Sequence, residues 1–310
     1  MSVGHPGART PLLFLRRLNV KIRSVEELHN GCTPECGIYP NVPSSLYFSL
    51  NAMNHSTLKR MKRSPAHFRY QKEYKPSDGA RLGTAAHTLL FEPEKFKPIL
   101  PPINPATKAP YGSNTQAWAT YAAAHPGALI MGDDEQRSTR EQVSALKAHR
   151  KIGPMITDPN GINEVTLVWM DEQTETLCKA RLDRYVPSVG ALDLKTVDIS
   201  IGAADGPFAR QAISLNYHSA QAFYQRGMRA CGLPDLSFVF AVVESDRPFG
   251  IVAYELGEKT LGAGMSLVNG WLKTLAECRA TNEWPSYPDK DLTTLEAPLW
   301  YLKQFYEDMD

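Results

Sequence analysis

The feature that most narrows the fold of this chain is a change of hydrophobic period at Gly161. From 162 to 170, Val165, Leu167 and Trp169 alternate with Glu164, Thr166 and Val168, the pattern of a half-buried strand. The segments 176–186 and 190–196 predict the next two strands, joined by turns at 171–175 and 187–190. A helix over 214–230 follows and stops at Gly232. Strands over 236–244 and 249–256 come next, split by Ser245-Asp246-Arg247-Pro248, and then a helix over 258–279. Upstream of Gly161 the spacing is helical. It predicts short helices from Asn54 to near Pro65 and over 66–74, a longer one from Asp78 or Gly79 to near Pro93, and two more over 114–124 and 134–150. The proline-rich segment 99–112 is read as loop between them. Helices, three strands, a helix and two further strands describe an α/β (α+β) domain, a central mixed β-sheet flanked by helices, with a right-handed parallel crossover.

Length and composition agree with that class. The chain has 310 residues, 43% hydrophobic and 22% charged, enough for one large core. Its longest apolar runs, such as Leu12 to Leu15, fall far short of the roughly 20 residues needed to cross a bilayer, so no membrane partner is expected. Five cysteines, Cys32, Cys36, Cys178, Cys231 and Cys278, form no even framework and point to a reducing compartment. The net charge of +1 hides an asymmetry: residues 1–75 hold twelve Lys/Arg against four Glu, net +8. Residues 1–45 read as a basic N-terminal extension, and 46–310 as the folded domain. The densest cationic run comprises Lys59, Arg60, Lys62, Arg63, Arg69, Lys72 and Lys75, interleaved with Phe68, Tyr70 and Tyr74. It reads either as a solvated helix face or as a surface for a phosphate backbone, where cations release counterions and rings stack on bases.

The chemistry concentrates between Asp183 and Lys195. In Asp193-Leu194-Lys195 an acid and an amine stand two residues apart on one strand, so both project from the same face. Asp183 lies on the strand before, and Glu164 on the strand before that. If these strands are antiparallel neighbours, three carboxylates converge. Like charges brought together call for a cation, and oxygen ligands favour Mg²⁺, with Mn²⁺ as a substitute. An Asp-x-Lys alone is weak evidence, since a surface ion pair explains most such triplets.

These residues resemble the PD-(D/E)xK nuclease superfamily and, within it, the RecE-type (exonuclease VIII) exonucleases of phages and prophages. The resemblance runs from about Ser49 to Trp300. It is carried by Ser64-Pro65-Ala66-His67-Phe68, Gly83-Thr84-Ala85-Ala86-His87, Glu164, Arg181-Leu182-Asp183-Arg184, Asp193-Leu194-Lys195-Thr196, and Tyr217 to Gln221 with Phe223-Tyr224. Relatives place the glutamine of that last motif four residues before the tyrosine; here Gln221 precedes Tyr224 by three. The resemblance implies a restriction-endonuclease-like core and a metal-dependent deoxyribonuclease that degrades duplex DNA from its ends with 5′→3′ polarity. It further implies a single-strand annealing protein as partner in phage-type recombination, a ring-shaped homo-oligomer, and the cytoplasm of a bacterial or phage-infected cell. Asp183, Asp193, the Leu194 carbonyl, His87 and Glu164 would hold Mg²⁺, and Lys195 would position or deprotonate the attacking water. Lys59, Arg60, Lys62, Arg63, Arg181, Arg184, Gln221 and Tyr224 would contact DNA. Two alternatives stand beside this reading. One is a non-catalytic DNA-binding or assembly protein of the same fold. The other is a repair or defence nuclease acting on single-stranded or branched DNA, whose four-cysteine iron–sulfur site is missing here.

Overall fold

The computed structural model describes residues 20–70, 78–287, 292 and 294–306. Six strands form one sheet in chain order: β1 (Gly37–Tyr39), β2 (Ile162–Asp171), β3 (Thr176–Val186), β4 (Gly190–Val197), β5 (Ser237–Glu244) and β6 (Ile251–Tyr254). All neighbours are antiparallel except β4 and β5, which run parallel. The parallel pair requires a crossover, and two helices supply it. The mixed, helix-flanked sheet is the architecture that the alternating segments predict.

In chain order the helices are α1 (Ser44–Ser49), α2 (His55–Leu58), α3 (Pro65–Arg69), α4 (Asp78–Phe91), α5 (Gln116–Ala124) and α6 (Asp133–Ala148). They continue with α7 (Ile152–Thr157), α8 (Asp205–Ser214), α9 (Tyr217–Ala230), α10 (Glu258–Thr281) and α11 (Leu299–Leu302). Strand β5, between β4 and β6, shows why both faces of the sheet are covered. Its Phe238, Phe240 and Val242 join the core under α9 and α10 with Phe223, Trp271 and Leu275. Its Val239, Ala241 and Val243 pack beneath α4, α6 and α7 with Leu90, Val143 and Ile152. A strand buried on both faces reads as a continuous apolar run, as 238–243 does.

Three expectations are corrected. The single helix predicted over 214–230 is two, because Asn216 takes a left-handed conformation (φ 63°) that ends α8 and starts α9. Asparagine tolerates that region better than other non-glycine residues. The basic extension 1–45 is not separate from the core over its described part. Ile38 and Tyr39 are fully buried, and β1 adds a strand to the sheet beside β2. The short helix expected over 66–74 ends at Arg69, while Lys72, Tyr74 and Lys75 lie outside the described residues. No helix among the described residues is long and apolar enough to cross a membrane.

Candidate metal centre

The regular alternation of β2 and β3 breaks at one level. In β2, Val165, Leu167 and Trp169 face the α9–α10 core, and so does Ile162, an odd number of residues away. In β3, Ala180 and Leu182 face the same core, and so does Tyr185. The parity shift falls at Glu164 and Asp183, and the paired register passes from Asn163↔Arg184 to Val165↔Leu182 without pairing those two. Glu164 itself has φ 55°, a left-handed conformation inside a strand that a glutamate adopts only at a cost. Local kinks of this kind re-aim side chains. Here they turn both carboxylates toward α4.

His87 arrives from α4. Its Nε2 lies 3.3 Å from Glu164 Oε1 and 3.1 Å from Asp183 Oδ1. The candidate ligand atoms of His87, Glu164 and Asp183 all fall within 4.8 Å of one another. Phe91, one turn on, meets the imidazole edge to face at 5.0 Å and fixes its orientation. Glu164 Oε1 is buried and makes no hydrogen bond. An imidazole nitrogen and two carboxylates, one with a buried oxygen that makes no hydrogen bond, suit a divalent cation.

The neighbouring strand supports this cluster. The β3–β4 ladder runs from Val186↔Gly190 to Arg184↔Leu192. At the next level the Leu194 N–H donates to Asp183 Oδ2 at 2.8 Å, so the side chain takes the place of a ladder bond and is held by it. Asp193 and Lys195 project from the opposite face to Leu192 and Leu194 and form a direct ion pair. The Lys195 ammonium also sits 4.9 Å over the Tyr217 ring. Asp193 is turned to Lys195 and stands outside the three-residue cluster; the structure brings together His87, Glu164 and Asp183.

Burial dominates the electrostatics. It opposes charge on His87, yet Asp183 above all, then Glu164, raise that imidazole to about 9. It lifts Glu164 to about 7, with His87 and Arg181 pulling the other way. Burial also works against ionised Asp183, but His87, Lys195 and the Leu194 N–H hold it below the ordinary carboxylate value. Asp193 is raised by burial and by Asp183 against the pull of Lys195. Lys195 resists its own desolvation because Asp193 and Asp183 raise it.

A metal must displace the His87 proton. Its affinity should therefore climb as pH rises toward about 9 and level off above, since the ligand form is the deprotonated one. Calorimetric titration of Mn²⁺ in buffers of different ionisation enthalpy at pH 7.5, about one and a half pH units below the plateau, should show close to one proton released per ion. A pH-independent affinity would place the ion elsewhere.

Other predicted residues fall in different places. Arg184 is buried, and its guanidinium donates to the Met155 carbonyl at 2.6 Å, to the Asp158 carbonyl at 2.5 Å and to Asn163 Oδ1. A Cβ at Gly161 would lie 2.2 Å from Arg184 Nη2, so the glycine makes room for that head group. Arg184 is therefore a structural tie between α7 and the sheet, not a phosphate contact. Arg184→Met should cost about 2–4 kcal/mol of stability while leaving the salt dependence of DNA binding unchanged, which melting curves and a salt titration would check.

Arg181 is also largely buried. Its Nε pairs with Glu164 Oε2, and its Nη2 lies 3.5 Å from Glu92 Oε2, so two carboxylates already share its charge. Gln221 is buried and its Oε1 has no hydrogen-bond partner, whereas Tyr224 lines the cleft in front of the site. Lys62 and Arg63 are exposed, Lys59 and Arg60 half-buried, and none of the four forms part of the cleft wall. That cleft has a volume of about 970 Å³ and contains His87, Glu164 and Asp183. Sequence reasoning missed Glu92 and His55, which also line it. No motif marks either one. Burial lowers the His55 imidazole to about 3, and its Nε2 lies 2.9 Å from Ser219 Oγ, tying α2 to α9.

Comparison with known proteins bears on this geometry. A family model described as "PDDEXK-like domain of unknown function (DUF3799)" matches residues 54–291, most of the chain. The fold is similar to a crystal structure of a protein described as "Putative exonuclease" from Eubacterium rectale, with a TM-score of 0.53 and 14% identity over 82% of this chain and 92% of that one. No curated protein matches the sequence.

Proposed function

We propose that this chain, which belongs to the PDDEXK-like family DUF3799, is a Mg²⁺-dependent exodeoxyribonuclease that degrades linear duplex DNA from its ends. The observation that carries the reading is the convergence of His87, Glu164 and Asp183 in one cleft, with the Asp193–Lys195 pair on the adjoining strand. His87 Nε2, Glu164 and Asp183 would hold the cation, with Asp193 able to join by turning from Lys195. When bound, the cation supplies Lewis-acid polarisation of the phosphodiester and offsets the charge that builds on it.

The chain's own groups do the rest. The Leu194 N–H fixes the Asp183 carboxylate, and Arg181 fixes Glu164, so these ligands need little rearrangement. Lys195, kept protonated by its two aspartates, is a hydrogen-bond donor that orients the attacking water and attracts the phosphate. Asp193, the partner of that ammonium, holds it in place.

The resemblance to RecE-type exonucleases supports 5′→3′ polarity, an annealing partner in phage-type recombination and a closed ring of identical subunits, which would tether the enzyme to its substrate. Digestion of linear duplexes labelled at the 5′ or 3′ end, beside covalently closed circles, tests the reading. The expected result is Mg²⁺-dependent loss of label from the linear duplex only, beginning at the 5′ end. Cleavage of the circles would replace it with an endonuclease.

A further inference from the structure

We infer that Phe48 is a stacking platform for a nucleobase at the DNA end, built into the wall of the cleft that contains the metal-ligand cluster. The inference rests on the nuclease reading and adds to it a contact that reads the base, whereas the cluster can address only phosphate.

Helix α1 is six residues long and its N-cap, Pro43, makes no side-chain capping bond. Such a helix has little stability of its own. It is held from below by Lys179, a lysine only 1% exposed, whose Nζ donates to the carbonyls of Tyr47 at 2.6 Å, Leu50 at 2.7 Å and Phe48 at 3.4 Å. Burying an ammonium is costly, and here the charge serves to cap the C-terminal end of α1, where the helix dipole favours a cation. The same Nζ sits 4.9 Å over the Tyr47 ring, which is itself buried.

Phe48 stands on this support. It packs edge-on against Tyr47, with ring centroids 5.2 Å apart and planes at 74°, and it remains 65% exposed. A single exposed apolar residue is ordinary on a protein surface. Phe48 differs in its mounting and its place: Tyr47 and Phe48 line the same cleft as His87, Glu164 and Asp183. A strand whose phosphate reaches the ligand cluster enters a cleft with this aromatic ring in its wall, and every nucleobase offers a π-surface to such a ring.

The test uses a duplex carrying 2-aminopurine at its terminal nucleotide, titrated with wild type, Phe48→Ala, Phe48→Leu and Phe48→Trp in Ca²⁺. Thermal melts confirm that each variant is folded. Stacking should quench the fluorescence in wild type and Phe48→Trp, and Phe48→Ala and Phe48→Leu should lose the quench and bind about 5- to 100-fold more weakly. Quench and affinity within about twofold of wild type in Phe48→Ala, or full binding by Phe48→Leu, would overturn the stacking role. Wild-type cleavage in Mg²⁺ is measured alongside. Cleavage without Phe48 dependence removes the platform and keeps the nuclease. Phe48-dependent quenching without cleavage does the reverse.

Discussion

Asp183→Asn is expected to lower DNA cleavage by on the order of 10³-fold while leaving affinity for duplex ends in Ca²⁺ within a few-fold of wild type. Asp183 is the most connected member of the site: it touches His87 at 3.1 Å and receives the Leu194 N–H at 2.8 Å. The amide keeps the shape and one acceptor oxygen but gives up the charge that draws a cation and keeps His87 basic. The His87 imidazole should therefore fall from about 9 toward its ordinary value, which an NMR titration would follow. Retained cleavage in the purified variant, or an unmoved His87 titration, would contradict the assignment.

The second large effect concerns Lys195. Lys195→Met keeps the aliphatic stem against Tyr217 but removes the ammonium, and should reduce turnover by about 10²- to 10⁴-fold. It also leaves the Asp193 carboxylate buried without its partner, which costs about 3–5 kcal/mol. The melting temperature should fall accordingly. Because a merely structural ion pair would give the same fall, the double variant Lys195→Met/Asp193→Asn separates the two roles. Removing both charges should restore much of the stability and none of the activity. If the double variant regains cleavage along with stability, Lys195 is a structural residue.

Much of the fold is legible where local pattern and burial agree. The strands from 162 to 197 alternate or run apolar over eight or more residues, so their period shows. β1 is only three residues long and carries no period. It is a strand because Ile38 and Tyr39 find places beside β2, which is a tertiary fact. The break at Asn216 is similar: an asparagine can be helical or left-handed, and the packing of α8 and α9 decides.

The site was legible as a set of residue types and strand positions, but not as geometry. The acids could be placed on three consecutive strands. Nothing in the sequence announces that Glu164 adopts a left-handed backbone, or that the parity shift beside it aims Asp183 at α4. Nor does an Asp-Arg step reveal that Arg184 points into the α7 junction while Asp183 points into the cleft. The clearest local clue lay in a neighbour. Gly161 leaves the space that the Arg184 guanidinium fills, and a glycine at that point reads from sequence only as a turn.

The measurement that tests the metal centre most directly is an anomalous difference map from crystals of the wild-type protein soaked in Mn²⁺. The structure predicts a peak bonded to His87 Nε2 and to carboxylate oxygens of Glu164 and Asp183. A map with no peak between these three residues at saturating Mn²⁺, or with the ion bound elsewhere in the cleft, would contradict the account.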